Sequence, residues 1–169
     1  MKRIMIIGPG NAGKSTLAIK MAGTLQIPVF HLDQFYWLAG WIPKDKDLWE
    51  AEHALLLEKP EWIIEGDFSN LYNIRAKHAD TIIFMDMPSH TLIKRSFLRR
   101  IIYRGVSRPD MTKGNVERFD YGYYRYIRWI LRYDRSKASD LIKEHKIDKR
   151  IFILTNQKDI NLFLDSLTS

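Results

Sequence analysis

An α/β fold, with a mostly parallel sheet covered by helices on both faces, is predicted by three features of the sequence. Five short apolar runs alternate with longer segments of helical period. A glycine-rich loop joins the first of these runs to the first helical segment. The length of 169 residues suits one compact domain able to bury most of the surface of its unfolded chain. Hydrophobic residues at 46%, aromatics at 12% and charged residues at 28% exclude a disordered or fibrous chain.

The elements follow in order. Ile4-Met5-Ile6-Ile7 is the first strand, and Leu17, Ala18, Met21 and Leu25 recur at helical spacing over residues 13–25. Ile27-Pro28-Val29-Phe30-His31 is the second strand, and a helix over 47–58 leads to the third, Trp62-Ile63-Ile64-Glu65. A short helix over 71–77 precedes Thr81-Ile82-Ile83-Phe84-Met85, the fourth strand. Residues 89–104 form a helix whose stripe of Ile93, Phe97 and Ile101 is expected to pack on the sheet, with Arg95 and Arg99 on another face. Helices over 115–132 and 136–144 precede the fifth strand, Arg150-Ile151-Phe152-Ile153-Leu154, and a helix over 159–167 closes the series. Two long connections, 33–60 and 104–149, leave the carboxyl ends of strands, where open parallel sheets bind ligands. They are read as an acceptor-side insertion and a lid within a single domain spanning 1–169.

Lysine and arginine number 27 against 20 acidic residues, and the surplus is local: residues 94–137 hold 13 basic and 4 acidic side chains. Such a block suits polyphosphate, nucleic acid or an anionic surface, or else a solvated helix face. The absence of cysteine excludes disulfides, thiolate zinc sites and a cysteine nucleophile. No apolar run approaches the roughly 18 residues of a membrane span, so a cytoplasmic protein without membrane partners is expected.

Gly8-Pro9-Gly10-Asn11-Ala12-Gly13-Lys14-Ser15 matches G-x-x-x-x-G-K-[ST] directly after a strand and at the start of a helix, the context that makes it a nucleotide phosphate loop. Gly8, Gly10, Asn11, Ala12, Gly13, Lys14, Ser15 and Thr16 are therefore assigned to the phosphates of ATP. Lys14 can reach the β- and γ-phosphates, and Ser15 can hold Mg²⁺. Asn11 stands where nucleotide kinases commonly have glycine, and Asn tolerates the left-handed backbone that position needs.

Asn156-Gln157-Lys158-Asp159 looks like the guanine-reading N-[KQ]-x-D of GTPases, but no D-x-x-G follows the third strand, and Asn156 and Asp159 are read as helix caps. Strand-end carboxylates favour a kinase. Asp33, Glu65 and Asp67 can all face the phosphate loop, and phosphoryl transfer needs one carboxylate near Mg²⁺ and another on the acceptor hydroxyl. Asp33 is assigned to the acceptor and Glu65, with Ser15, to the metal; Asp86 is expected as a turn or cap. Arg95, Arg99 and Arg108 are assigned to transition-state charge, since arginine forks bind phosphate bidentately. Arg125, Arg128, Arg132 and Arg135 are expected in solvent. Phe35, Tyr36, Trp37, Trp41 and Trp49 form either an acceptor pocket in which a ring stacks or a satellite core; Asp67 and Arg75 are further acceptor candidates.

Together, residues 8–16, Ile27-Pro28-Val29-Phe30-His31-Leu32-Asp33, Gly40-Trp41, Trp62-Ile63-Ile64-Glu65-Gly66-Asp67, Ala79-Asp80-Thr81-Ile82-Ile83-Phe84 and Arg104-Gly105-Val106-Ser107-Arg108-Pro109-Asp110 resemble the bacterial topology modulation proteins, which are similar to adenylate kinases. The likeness extends over nearly the whole chain. It implies an adenylate kinase-like P-loop fold of three layers, with a five-stranded parallel sheet in the order 2-3-1-4-5, a nucleotide-monophosphate-like insertion and an arginine-rich lid. The family name implies an effect on DNA supercoiling, although no DNA-binding motif is visible. Adenylate kinases carry Asp-Gly-Phe-Pro-Arg after the third strand, where this chain has Glu65-Gly66-Asp67-Phe68-Ser69, a departure that touches the acceptor and not the ATP site. The expectation is thus an ATP- and Mg²⁺-dependent kinase acting on a small-molecule acceptor such as a nucleoside or nucleotide. The alternative is a nucleic-acid-associated ATPase or regulator gripping DNA with the block over 94–137.

Overall fold

The computed structural model describes residues 1–168. Its centre is β1 (Arg3–Ile7), in which Ile4, Met5, Ile6 and Ile7 are all fully buried. A strand covered on both faces needs no polar alternation, which explains the unbroken apolar run. Alternation survives in another form: Ile4 and Ile6 enter one core, Met5 and Ile7 the other. The same split holds in β5 (Trp62–Glu65), with Ile63 against Trp62 and Ile64, and in β6 (Thr81–Met85), with Ile83 and Met85 against Ile82 and Phe84.

Five strands pair in parallel in the order β2-β5-β1-β6-β7, where β2 is Val29–His31 and β7 is Arg150–Leu154. A small antiparallel hairpin, β3 (Trp37–Leu38) with β4 (Ile42–Pro43), stands apart from the sheet. Counting only sheet strands in chain order, the arrangement is the expected 2-3-1-4-5.

One face is covered by α1 (Lys14–Leu25), α5 (Ser89–Ile102), α6 (Tyr121–Leu131) and α8 (Gln157–Asp165), through Leu17, Met21, Leu92, Ile130, Ile160 and Phe163. The other face is covered by α2 (Leu32–Tyr36), α3 (Lys46–Leu57), α4 (Tyr72–His78) and α7 (Ser136–His145), through Leu32, Trp49, Leu57, Ala76, Ala138 and Leu141. Among the described residues no helix is long and apolar enough to cross a membrane.

The helix ends follow their chemistry. α1 stops where Gln26 adopts a left-handed conformation and its N–H bonds the Ala22 carbonyl. α3 begins at Asp45, whose carboxylate accepts from the N–H groups of Asp47 and Leu48. α8 begins two residues earlier than expected because Asn156 accepts from the Asp159 N–H, and Asp159 in turn accepts from the Thr155 N–H at 2.9 Å. Asn156 and Asp159 are therefore the expected capping pair.

Two expectations need correction. The helix expected over 115–132 begins only at Tyr121, capped by Asp120. Residues 116 and 117 instead bridge back to Ser107 and Arg104, since Glu117 and Asn115 are drawn into buried polar contacts that a helix there would break. The stripe Ile93, Phe97 and Ile101 does not pack on the sheet: Ile93 is partly buried, whereas Phe97 and Ile101 are half exposed. The buried positions of α5 are Leu92, Ser96 and Arg100, rotated one residue because Glu117 and Tyr123 of the lid side receive the Arg100 guanidinium. Phe97 rests on Phe119 with ring centroids 5.6 Å apart.

His53 is buried in α3 with its Nε2 unpartnered among the described residues. Burial, aided by the Arg75 and His78 charges, lowers its pKa to about 4. The unfolded chain takes up this proton near the usual value of 6.5, so stability falls as pH drops below 6.5 and levels off near 4. The loss is on the order of 3 kcal/mol. Urea titrations across this window should show that loss in the native chain and a smaller one in His53→Leu.

Candidate functional site

All five parallel strands end on one edge, and the loops leaving them surround a cavity of about 1440 Å³. The phosphate loop forms its floor. Gly8 (φ 135) passes the end of β6 so closely that a Cβ would lie 2.6 Å from the Met85 carbonyl oxygen, a contact only glycine permits. Asn11 takes the left-handed conformation expected of it (φ 63), and Gly13 (φ 101) precedes α1. Lys14 Nζ donates to the carbonyls of Gly8 (2.8 Å) and Pro9 (2.9 Å), which holds the ammonium over the loop. Arg95, on α5, donates to the Ala12 carbonyl at 2.7 Å. From α6, the Tyr126 hydroxyl covers Gly10 and accepts from Asn11 Nδ2 at 3.1 Å.

Beside the loop, Glu65 accepts from the Ser15 hydroxyl at 2.9 Å and meets His31 Nδ1 at 2.8 Å. Ser15 and Glu65 offer two hard oxygen donors side by side, the chemistry Mg²⁺ prefers. Among the described residues no group of three or more His, Asp or Glu could hold a metal ion. Burial works against the protonated form of His31, but the Glu65 hydrogen bond and the charges of Glu65, Asp110 and Asp33 outweigh it and raise its pKa. Asp33 lies further along the cavity, at the start of α2. Burial and the Glu65 charge push its carboxyl above the usual range, against the pull of Lys14 and Arg108. A carboxylate so raised is a better proton acceptor at neutral pH.

Asp67 braces the loop from the third strand's end. Its Oδ1 accepts from the Gly8 N–H (3.3 Å), the Tyr72 hydroxyl (2.5 Å) and the Tyr133 hydroxyl (2.7 Å). Burial and the Asp67 charge raise both phenol pKa values, so both remain donors.

Arg75 does not reach the cavity. It is fully buried behind the 66–68 turn and donates to the carbonyls of Gly66 (2.8 Å) and Phe68 (3.3 Å). Burial lowers its pKa to about 10, still charged at neutral pH, so it shapes the turn rather than receiving an acceptor phosphate. The aromatic insertion divides: Tyr36 and Trp49 pack with Phe68 in the core, while Trp37 and Trp41 line the cavity with ring centroids 5.9 Å apart.

Residues 109–116 lie across this floor, bonded to residues 34–41. Gln34 Nε2 donates to the Pro109 carbonyl (3.0 Å), Thr112 to the Gln34 carbonyl (3.0 Å), and Trp41 N–H and Nε1 to Asn115 Oδ1 (2.6 Å) and the Val116 carbonyl (3.3 Å). Arg99 and Arg108 line the cavity as expected. Their partners were not expected: Glu117 ion-pairs with Arg99 (3.1 Å), Arg100 (3.0 Å) and Arg108 (3.1 Å), and Asp110 takes Arg108 at 3.1 Å. Arg135, expected in solvent, pairs with Asp86 at 2.5 Å and ties α7 to the end of β6. Sequence reasoning assigned no role to His31, Tyr126, Asp110 or Glu117; of these His31, at the end of a strand near Asp33, and Asp110, close to Arg108, lay in segments already singled out.

No family model matches the chain, and no curated protein matches its sequence. Solved structures do match in fold. A deoxyadenosine kinase from M. mycoides, with products bound, is 16% identical at a TM-score of 0.53, covering 97% of each chain. A shikimate kinase from Acinetobacter baumannii in complex with shikimate is 14% identical at 0.56, covering 99% of this chain and 90% of the other. A gluconokinase from Sinorhizobium meliloti 1021 is 13% identical at 0.56, covering 99% and 93%. The chain thus has the α/β fold of P-loop kinases, with a five-stranded parallel sheet.

Asp67→Ala strips three hydrogen bonds from the base of the phosphate loop. A destabilisation of about 1–3 kcal/mol is expected by urea denaturation, larger than that of Asp67→Asn, which keeps an acceptor oxygen.

Proposed function

We propose that this chain is an ATP- and Mg²⁺-dependent kinase that transfers the γ-phosphoryl group to a small-molecule acceptor. What carries this reading is that Asp33, a carboxylate with a raised pKa, shares one cavity with the phosphate loop and feels the charge of Lys14. The likeness in fold to kinases acting on small molecules supports it.

In this reading the backbone N–H groups of residues 10–16 and the Lys14 ammonium hold the polyphosphate, and Asp33 accepts the proton of the acceptor hydroxyl as its oxygen attacks the γ-phosphorus. The bond from γ-phosphorus to the bridging oxygen breaks, and ADP leaves with the electron pair. Arg95, Arg99 and Arg108 neutralise charge on the transferring oxygens, and Trp37 and Trp41 wall the acceptor side. Ser15 and Glu65 would hold Mg²⁺, whose chemistry is to draw charge from the phosphate oxygens. The segments 33–60 and 104–149 act as acceptor-side insertion and lid of one domain.

The nucleic-acid alternative draws less support, because four arginines of the basic block are engaged within the fold: Arg99, Arg100 and Arg108 face Glu117, and Arg135 faces Asp86. A membership among topology modulation proteins remains compatible with a kinase of this kind.

Mixing the protein with Mg-ATP and a panel of nucleosides, nucleoside monophosphates and small hydroxylated metabolites should give acceptor-dependent ADP. Hydrolysis unchanged by every acceptor but stimulated by DNA would replace the kinase with the regulatory ATPase. Lys14→Ala should lower turnover by at least about 10²–10³-fold with unfolding temperature nearly unchanged. Asp33→Asn should lower kcat by about 10²–10⁴-fold while Mg-ATP still binds; full activity in either variant removes that residue from the mechanism.

A further inference from the structure

Arginines meant for a phosphoryl group must be held apart and aimed before it arrives, since like charges in a dry cavity repel and long side chains wander. The structure shows what could hold them. Glu117 has no exposed side-chain surface, and its two oxygens meet three guanidiniums. The contacts are not equivalent. Glu117 Oε2 takes Nη1 of Arg100, which is fixed from two other sides: its Nε donates to the Arg118 carbonyl at 2.9 Å, and its guanidinium lies 4.1 Å from the Tyr123 ring centroid. Arg100 thus anchors the carboxylate.

Glu117 Oε1 is shared between Nε of Arg99 and Nε of Arg108, each at 3.1 Å. These are contacts of charge rather than directed hydrogen bonds, since both Nε atoms and both Glu117 oxygens are buried without a hydrogen-bond partner among the described residues. They draw the two guanidiniums together while leaving their terminal amino groups free of Glu117. Both arginines line the cavity, and one Nη of Arg108 is steadied by Asp110 at 3.1 Å. Three guanidiniums against the two carboxylates of Glu117 and Asp110 leave one positive charge uncompensated at the cavity wall, which favours an incoming anion.

We infer that Glu117 is a positioning residue for phosphoryl transfer: anchored by Arg100, it gathers Arg99 from α5 and Arg108 from the lid so that the amino groups left free of Glu117 converge on phosphate. This rests on the kinase reading for its catalytic part, while its anion-binding part stands alone. Arg99 belongs to α5 and Arg108 to the lid, so the same carboxylate also ties lid to helix in the ordered state.

Glu117→Asp tests this because it keeps the charge and withdraws it by one methylene, too far to serve all three arginines. Changes in anion binding then report geometry rather than net charge. Calorimetry with inorganic tripolyphosphate should show affinity reduced about tenfold, with an unfolding temperature within a few degrees of native. With Mg-ATP and the acceptor found in the panel, kcat should fall roughly 10- to 100-fold while acceptor KM stays constant, a split that loss of folded protein would not produce. In Glu117→Gln, which adds net positive charge and should by simple electrostatics favour anions, kcat should fall as well.

Native tripolyphosphate affinity and kcat in Glu117→Asp would overturn the inference, as would tighter anion binding, which would make Glu117 a competitor of phosphate. Failure of Glu117→Asp to fold would make the residue structural and likewise overturn it. If native protein binds tripolyphosphate but phosphorylates no acceptor, the kinase reading fails while the calorimetric arm still decides the role of Glu117.

Discussion

The site depends on one backbone contact. Gly8 leaves β1 against the Met85 carbonyl at a distance no side chain tolerates, and this seats the phosphate loop over the ends of β1 and β6. Everything charged is placed relative to that seat. Asp67 reaches Gly8 from the end of β5, Lys14 folds back onto the Gly8 and Pro9 carbonyls, and Arg95 crosses from α5 to Ala12. Because β1 is buried on both faces, the seat cannot shift without moving both cores.

The electrostatics follow from the same arrangement. Parallel strands bring His31, Asp33, Glu65 and Asp67 to one edge, a concentration of acid that would repel phosphate if left uncompensated. Compensation comes from segments distant in sequence: Tyr72 and Tyr133 on Asp67, Lys14 and Arg108 near Asp33, Ser15 and His31 on Glu65. The local basic surplus of residues 94–137 is thus divided: Arg99, Arg100 and Arg108 face Glu117, Arg108 also faces Asp110, and Arg135 faces Asp86, while Lys94, Arg104, Arg128 and Arg132 stay exposed.

The strands and the phosphate loop were legible because each is written locally, whereas the order of the strands, set by pairing between distant segments, came only with the resemblance. A strand buried on both faces reads as an apolar run, and the loop's glycines, Lys14 and Ser15 lie at fixed spacing. The start of α6 was also written, in the capping residue Asp120, but hydrophobic period carried the expected helix past it. The buried face of α5 was not legible, because Arg100 is buried only through partners on another segment. Arg75 misled for the same reason: its acceptors are the carbonyls of Gly66 and Phe68, which every residue possesses and no pattern marks. Glu117, one acid within a basic stretch, looks like ordinary surface charge until the lid folds around it.

How the lid is held also bears on how it works. Across the cavity mouth the segments 33–60 and 104–149 meet through four hydrogen bonds that involve side chains of Gln34, Thr112, Trp41 and Asn115. Each is worth about 0.5–1.5 kcal/mol net, since water replaces it on opening. Their sum is a few kcal/mol, small enough for thermal opening of this seam. By contrast, the Glu117 cluster lies on the lid's own side, between α5 and residues 104–120, with no exposed side-chain surface on the carboxylate. Opening at Trp41 and Gln34 thus leaves the arginines gathered. The weak seam faces residues 33–60, and the strong one keeps the three arginines together.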